Sequence, residues 1–566
     1  MSIIQIDSNK RLDDIEHHFK VSAGPGAGKT HWLVEHIRNV LHHSNRLGKV
    51  RKIACITYTN IAVETILNRL GTSATQVDVS TIHSFLYRHI LKPYAFLIAD
   101  EYGLDYSKLD GHDELNHSHS KISNWLKSTS QQSLLKGKAN ILKALDTIQW
   151  QMTDSGELFL GLPINKTYLG KVTNISIKKN SYIEYRKEHW KLGNIHHDDV
   201  LFFSYQLIEK YPFILEVVRA KFPYFFIDEF QDCNPIQLSI IEKIAETETI
   251  VGCIGDPAQS IYKFQGAELG LFLSFSLNGM SHYQILKNNR STIKIIKVLN
   301  FIRSDLTQEP VREVDGENPC LIVGSTKNSI QEVRKLCVDE DFYTLSRDNI
   351  TAKALQNELD NTFNIDNLFE SLSEIDSDRD RKQAVCSSIK AIELVREKKF
   401  KDAFKELEKI FPRSHYNISI SIEYISTLIG EYDSYKNENL INFIEIIQKL
   451  FHSRLTKVSR GKVKEFYENT LYNQLSVCIN IPDDMSLNKT IHKSKGDEFN
   501  NVLLVLKSEQ ELDFILSPQL ADPKAEEHRI LYVAISRAKN RLFISVPSLK
   551  VKNEPKFSEQ FEIVRC

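Results

Sequence analysis

The sequence predicts an α/β protein with two parallel-sheet cores, each interrupted by a mostly helical insertion. Three observations predict it. Continuous apolar runs at Tyr224–Ile227 and Ile250–Gly255 each end in an aspartate, as buried central strands do when they deliver polar groups at their C-terminal ends. Short runs of this kind alternate with helical periodicity, as at 61–70 between the runs 52–58 and 77–80. Two long stretches, 91–199 and 366–480, lose the strand signal and become polar and helical; the second opens with the charged segment 374–382.

In chain order, residues 1–90 and 200–280 read as the first core, with 91–199 inserted into it. Residues 281–365 and 481–548 read as the second core, with strands at Cys320–Val323, 342–345, 502–506 and 541–546. Its insertion is 366–480, and 549–566 is a C-terminal tail. The 566 residues are too many for one hydrophobic core. Lys plus Arg (72) nearly balance Asp plus Glu (73), so any surface for a polyanion must be local. The first residues carry no basic and apolar leader, and no apolar run approaches a membrane span, which points to the cytoplasm and to no membrane partner. Eight cysteines are scattered without a C-x-x-C, excluding the usual zinc and iron–sulfur spacings and fitting a reducing compartment. The pairs His17-His18 and His196-His197 lack a partnering cluster and read as solvated.

Residues 22–30, Ser-Ala-Gly-Pro-Gly-Ala-Gly-Lys-Thr, form a phosphate-binding loop (Ala23, Gly24, Pro25, Gly26, Ala27, Gly28, Lys29, Thr30). Gly24, Gly26 and Gly28 let backbone N–H groups wrap the phosphates without a Cβ in the way. Lys29 adds a point charge, and the Thr30 hydroxyl is a ligand for Mg²⁺. Ala23 stands where the strict pattern has Gly. Trp32, Leu33, Ile37, Val40 and Leu41 then give the helical spacing that should follow such a loop. Asp228-Glu-Phe-Gln-Asp232 supplies the second half of a triphosphate site: Asp228 to hold the metal through water, Glu229 to orient and deprotonate the attacking water. Together they predict nucleoside triphosphate binding with a divalent metal, and hydrolysis.

Seven further blocks follow the loop: ITYTNIA at 56–62, STIHSF at 80–85, DEFQD at 228–232, GDPAQSIYKFQGA at 255–267, LKNNRS at 286–291, TIHKSKGDEF at 490–499 and EHRILYVAISRAK at 527–539. In this order they resemble the motifs of superfamily 1 helicases of the UvrD/Rep/PcrA type, over essentially the whole chain. The segment HHDDVL at 196–201 is similar to the family's return into its first core. The resemblance implies two RecA-like P-loop NTPase cores, ATP and Mg²⁺ as cofactors, and single-stranded or partly duplex DNA as partner. It implies that Gln259 senses the γ-phosphate, that Arg290 and Arg537 reach it from the second core as internal arginine fingers, and that Glu498 contacts the sugar. It places Tyr58, Tyr262 and Phe264 (for the usual Trp) under bases, where stacking is sequence-tolerant. Thr57, Thr81, His83, Thr490 and His492 become backbone contacts.

Three departures stand out. Asn289 occupies the place of the Tyr that stacks on adenine, Ser8 that of the Gln that reads its edge (Gln5 is three residues off), and Phe264-Gln265 replaces Trp-Arg. Relaxed base selectivity is the expectation, with GTP or deoxynucleotides accepted. Two activities remain open: a 3′-to-5′ translocase that unwinds duplex, or a DNA-stimulated nucleotidase acting as a sensor subunit with little unwinding. The compact build is also similar to the helicase-like subunit of Gabija anti-phage systems, which implies an OLD/Toprim-family nuclease partner and an antiviral role.

Overall fold

The computed structural model describes residues 3–161, 177–356, 368–410, 418–450, 455–479 and 486–566, apart from the single positions 114, 116, 118, 179, 339 and 459. It divides into two compact units, the first comprising Met1–Val314 with Ser517–Ser536, the second Asp315–Leu516 with Arg537–Cys566.

The first unit is built on a seven-stranded parallel sheet. Its strands are β1 (Ile3–Ile6), β2 (Phe19–Ala23), β3 (Ile53–Thr57), β4 (Val77–Thr81), β7 (Tyr224–Ile227), β8 (Ile250–Gly255) and β9 (Ser281–Ile285), in the order β1-β9-β2-β8-β7-β3-β4. A hairpin of β5 (Gln149–Met152) and β6 (Leu158–Gly161) lies in the inserted region among helices that include His119–Ser128, Lys138–Thr147 and Ser181–Trp190. The labelled helices are α1 (Lys29–His43), α2 (Asn60–Leu70), α3 (His197–Lys210), α4 (Pro235–Ala245), α5 (Ile293–Ile302) and α6 (Glu526–Ile535). Beyond the sheet, β10 (Lys287–Asn288) and β11 (Glu309–Pro310) form a small parallel pair. The first sheet thus extends past residue 280, where the sequence places the junction, because β9 inserts between β1 and β2.

Apolar side chains cover both faces of this sheet, as a parallel sheet requires. Phe19, Val21, Phe226 and Ile254 pack on α1 through Trp32, Leu33, Ile37 and Val40. Phe225, Val251 and Cys253 face the other way, into a core continuous with Phe203 of α3 and with Trp125 and Trp190 of the insertion. Helix starts follow local chemistry. Thr59 caps α2 by accepting from Ala62 N–H, and Asn234 with Gln237 boxes the start of α4, where Pro235 takes the first turn.

The second unit carries a six-stranded parallel sheet of β12 (Cys320–Val323), β13 (Tyr343–Ser346), β14 (Asn488–Thr490), β15 (Phe499–Val505), β16 (Ala538–Val546) and β17 (Glu562–Arg565), ordered β14-β13-β15-β16-β12-β17. Helices between β13 and β14 enclose their own core around Tyr435, Phe443, Tyr467 and Tyr472. The tail expected at 549–566 ends in β17, which pairs with β12. The protein is therefore α/β with two RecA-like cores. No helix among the described residues is long and apolar enough to cross a membrane, and the cysteines are free thiols.

Candidate nucleotide and nucleic-acid site

The phosphate loop leaves β2 at Ala23 and enters α1 at Lys29. Ala23 is a fully buried strand residue, so the conformational freedom of Gly is not needed there. Gly26 and Gly28 sit in the left-handed region (φ 72° and 81°), where a side chain is strained. A Cβ at Gly26 would also lie 2.8 Å from Arg290 Cβ. Lys29 Nζ is 3.4 Å from the Ala23 carbonyl, folded back over the loop. The β10–β11 pair clasps the loop from outside: Asn288 Nδ2 (3.1 Å) and Gln308 Nε2 (2.8 Å) donate to the Pro25 carbonyl, and Asn289 N–H donates to that of Gly26 (2.8 Å). Ser8 and Asn289 both approach Gly28, 3.3 and 3.8 Å from where its Cβ would be, whereas Gln5 lies exposed on the edge strand β1.

Asp228 follows β7, its N–H bonded to the Ile56 carbonyl, and its Oδ2 accepts from Thr30 Oγ1 at 3.3 Å. Burial, reinforced by the neighbouring Glu229 charge, pushes the Asp228 carboxyl well above the usual carboxylate range, while Lys29 and hydrogen bonds from Glu229 N–H and Thr30 pull it down. A hydroxyl beside an under-compensated buried carboxylate is the oxygen donor set that Mg²⁺ takes, its other positions left to water and phosphate, so these residues fit the ion. Glu229 has φ 54° and ψ 39°, a left-handed conformation that costs a non-glycine residue roughly 1–2 kcal/mol and recurs at functional sites.

Behind Glu229 runs a buried polar network. Gln231 Nε2 donates to the Glu229 carboxylate, and Gln231 Oε1 accepts from Asp256 N–H at 2.9 Å. Asp256 Oδ2 accepts from Gln259 Nε2 at 2.6 Å. Arg290 lies against Gly26 and donates from Nη1 to the Ser536 carbonyl at 2.9 Å. Lys29, Thr30, Asp228, Glu229 and Gln259 thus belong to the first unit, and so does Arg290, which the resemblance places in the second core, because the first unit runs on to Val314. Arg537 and Glu498 belong to the second. There Arg537 is buried with Nη1 3.3 Å from the Asp497 carbonyl, and Glu498 pairs with Lys539 at 2.6 Å.

A cleft of about 1180 Å³ in the first unit is lined by Tyr58, Thr81, His83, Tyr262 and Phe264. The Tyr58 and Tyr262 rings stack on each other at 4.8 Å and 21°, and Phe264 stands 47% exposed beside them. Thr57 does not join this lining. It is the last residue of β3, and its buried hydroxyl has no partner among the described residues. Thr490 and His492 lie in the second unit, Thr490 at the end of β14 with its Oγ1 accepting from Lys493 N–H, His492 in the turn His492–Ser494.

The cleft also gathers residues that sequence reasoning missed. His112, His196 and His197 line it, with His112 Nδ1 2.6 Å from His197 Nδ1. Burial and these neighbours push His83 down to about 3. The His196-His197 pair therefore lines the cleft half-buried, and His18, also half-buried, accepts at Nδ1 from Val251 N–H. Among the described residues, no three His, Cys, Asp or Glu side chains are placed to share a metal ion. Only the spatial meeting of positions 83, 112 and 196–197 reveals the cluster, and no local pattern encodes it.

Two family models together match residues 6–548. The UvrD/REP helicase N-terminal domain matches residues 6–278, and the UvrD-like helicase C-terminal domain matches 277–548. The chain is 24% identical to the putative ATP-dependent DNA helicase YjcD of Bacillus subtilis, over 96% of this chain and 79% of that protein. It is 28% identical to ATP-dependent DNA helicase PcrA of the same organism, over 51% of this chain and 38% of PcrA. It is 25% identical to the Gabija protein GajB of Bacillus cereus, over 51% and 47%. The match spans less than half the length of the last two relatives.

Proposed function

Since the chain belongs to the UvrD-like family of ATP-hydrolysing DNA helicases, we propose that it moves 3′-to-5′ along single-stranded DNA and separates duplex by Mg²⁺-dependent NTP hydrolysis. The observation that carries this reading is one short stretch of chain. Gln259 joins the buried network behind Glu229, and three and five residues later Tyr262 and Phe264 line the cleft. A change at the triphosphate and a change at a base would therefore act on the same loop.

In this mechanism the loop amides and Lys29 bind the β- and γ-phosphates, and Thr30 with Asp228 would hold Mg²⁺. When bound, the ion supplies charge neutralisation on the transferring phosphoryl group. Glu229 accepts the proton of the attacking water. Arg290, already beside Gly26, and Arg537, from the second unit, stabilise charge on the γ-phosphate. Glu498 meets the nucleotide's sugar. Tyr58, Tyr262 and Phe264 stack on bases, while Thr57, Thr81, His83, Thr490 and His492 serve the strand's backbone. For Thr57 this requires the end of β3 to expose its hydroxyl.

Strand displacement on duplexes with a 3′ or a 5′ overhang, measured beside NTP hydrolysis with and without single-stranded DNA, tests the reading. Displacement from the 3′ overhang is expected; displacement only from the 5′ overhang sinks the polarity. A second reading draws support from the likeness to GajB. It is a DNA-stimulated nucleotidase in a cytoplasmic antiviral complex with an OLD/Toprim-family nuclease. Stimulated hydrolysis without displacement from either overhang would favour it.

A further inference from the structure

We propose that Arg303 is a positioning residue for hydrolysis, one that fixes the Gln259 loop through Asp256 and ties that loop to Arg290 through α5. The proposal rests on the reading of Gln259 given above. Arg303 follows the last residue of α5, and its side chain is 1% exposed. Nη1 lies 2.8 Å from Asp256 Oδ1 and 3.0 Å from Oδ2, while Nε and Nη2 take the two oxygens of Asp305 at 2.8 and 3.0 Å. Asp256 is fully buried and holds three further groups. Its carboxylate accepts from Gln259 Nε2 and Ala258 N–H, and its own N–H donates to Gln231, the residue bonded to Glu229. The orientation of the Asp256 carboxylate therefore decides where the Gln259 amide points, and Arg303 is the cation that sets it.

The other end of the same helix begins at Ile293, three residues after Arg290, with Thr292 at its N-cap. Ten helical residues make a rod of about 15 Å. A shift of Arg290 against the phosphate loop would thus be felt at Asp256 without any change in the sheet. The planar guanidinium holds both carboxylates at once in a fixed geometry through Nε, Nη1 and Nη2, so Lys at this position keeps the charge and loses that geometry.

The test compares Arg303→Lys, Asp305→Asn, Gln259→Ala and the Arg303→Lys/Gln259→Ala double variant. The readouts are steady-state hydrolysis with saturating single-stranded DNA, direct nucleotide binding and thermal unfolding. Arg303→Lys is expected to lower kcat by about tenfold or more while KM and nucleotide affinity stay within about twofold, the pattern of an interaction made at the reacting stage. The double variant should fall no further than Gln259→Ala alone, since both act on one amide. Asp305 is exposed, so Asp305→Asn frees half the fork without threatening the fold; it should lower kcat in the same direction by about twofold to threefold. It decides the matter if Arg303→Lys does not fold. Wild-type kcat in Arg303→Lys or, where that variant is unfolded, in Asp305→Asn overturns the proposal, as does an additive loss in the double variant. If Gln259→Ala leaves hydrolysis and its stimulation intact, the sensor reading fails instead.

Discussion

At the residue scale, the proposed mechanism separates binding from water activation. In it Lys29 and the loop amides would hold phosphate, whereas Glu229, kept in a strained conformation beside Asp228, would activate water. Glu229→Gln should therefore lower turnover by about 10²–10⁴-fold and leave Mg²⁺-dependent nucleotide binding in place, while Lys29→Ala loses binding itself. Equilibrium binding of a fluorescent nucleotide beside steady-state hydrolysis distinguishes the two. The base is a different matter. Discrimination needs buried groups that satisfy one base edge and are left unpaired by another. Next to Gly28 stand the short hydroxyl of Ser8 and the amide of Asn289, with no aromatic face from either. GTP and dATP should be used within about tenfold of ATP, a gap of roughly 1.4 kcal/mol, and Asn289→Tyr should sharpen the preference for adenine. A hundredfold preference for ATP in competition assays would contradict this.

At the element scale, the proposed coupling places both of its ends on the 256–264 loop. Tyr58 and Tyr262 are already stacked on each other, and Phe264, tilted against Tyr262 at 5.9 Å, is the most exposed of the three rings at 47%. Phe264→Ala should weaken stimulation by single-stranded DNA several-fold, from a loss of about 1–3 kcal/mol per stacked base, while basal hydrolysis persists. Equal loss of both rates would assign Phe264 to packing. Elements with strong local signals were legible in the sequence: Tyr224–Ile227 and Ile250–Gly255 coincide with β7 and β8, and the phosphate loop lies between β2 and α1. Others were not, for physical reasons. All five residues of β3 are buried, so period-two alternation is absent and nothing in the sequence tells which way Thr57 points. The four residues of β17, Glu-Ile-Val-Arg, form an edge strand with charged ends that reads as tail. The clasp on the phosphate loop and the Asp256–Arg303 pair are long-range meetings of residues unremarkable in their own neighbourhoods.

At the scale of the whole molecule, the first unit buries imidazoles that must stay neutral. His36 stacks on Trp32 at 5.1 Å, packs edgewise on Phe19, and has no hydrogen-bond partner for either ring nitrogen among the described residues. Burial pushes it down to about 3, as burial does for His83, and His189 falls to about 4. The unfolded chain takes up these protons near 6.5, so between 6.5 and about 3 it binds more protons than the native state. Their contribution is full above 6.5 and is lost as pH falls through that window. The thermal midpoint should drop between pH 7 and 5, and His36→Phe should flatten the drop; an unchanged slope would mean that His36 ionises in the folded protein. The weave of the chain has another consequence. The first unit is completed by α6, whose buried Arg529 donates from Nε to the Ser260 carbonyl at 2.9 Å. On the ribosome, the polypeptide must be extended by roughly 220 residues beyond Val314 before that guanidinium exists, about 10–45 s at ordinary elongation rates. Throughout that interval the nascent first unit waits unsealed at the Ser260 carbonyl.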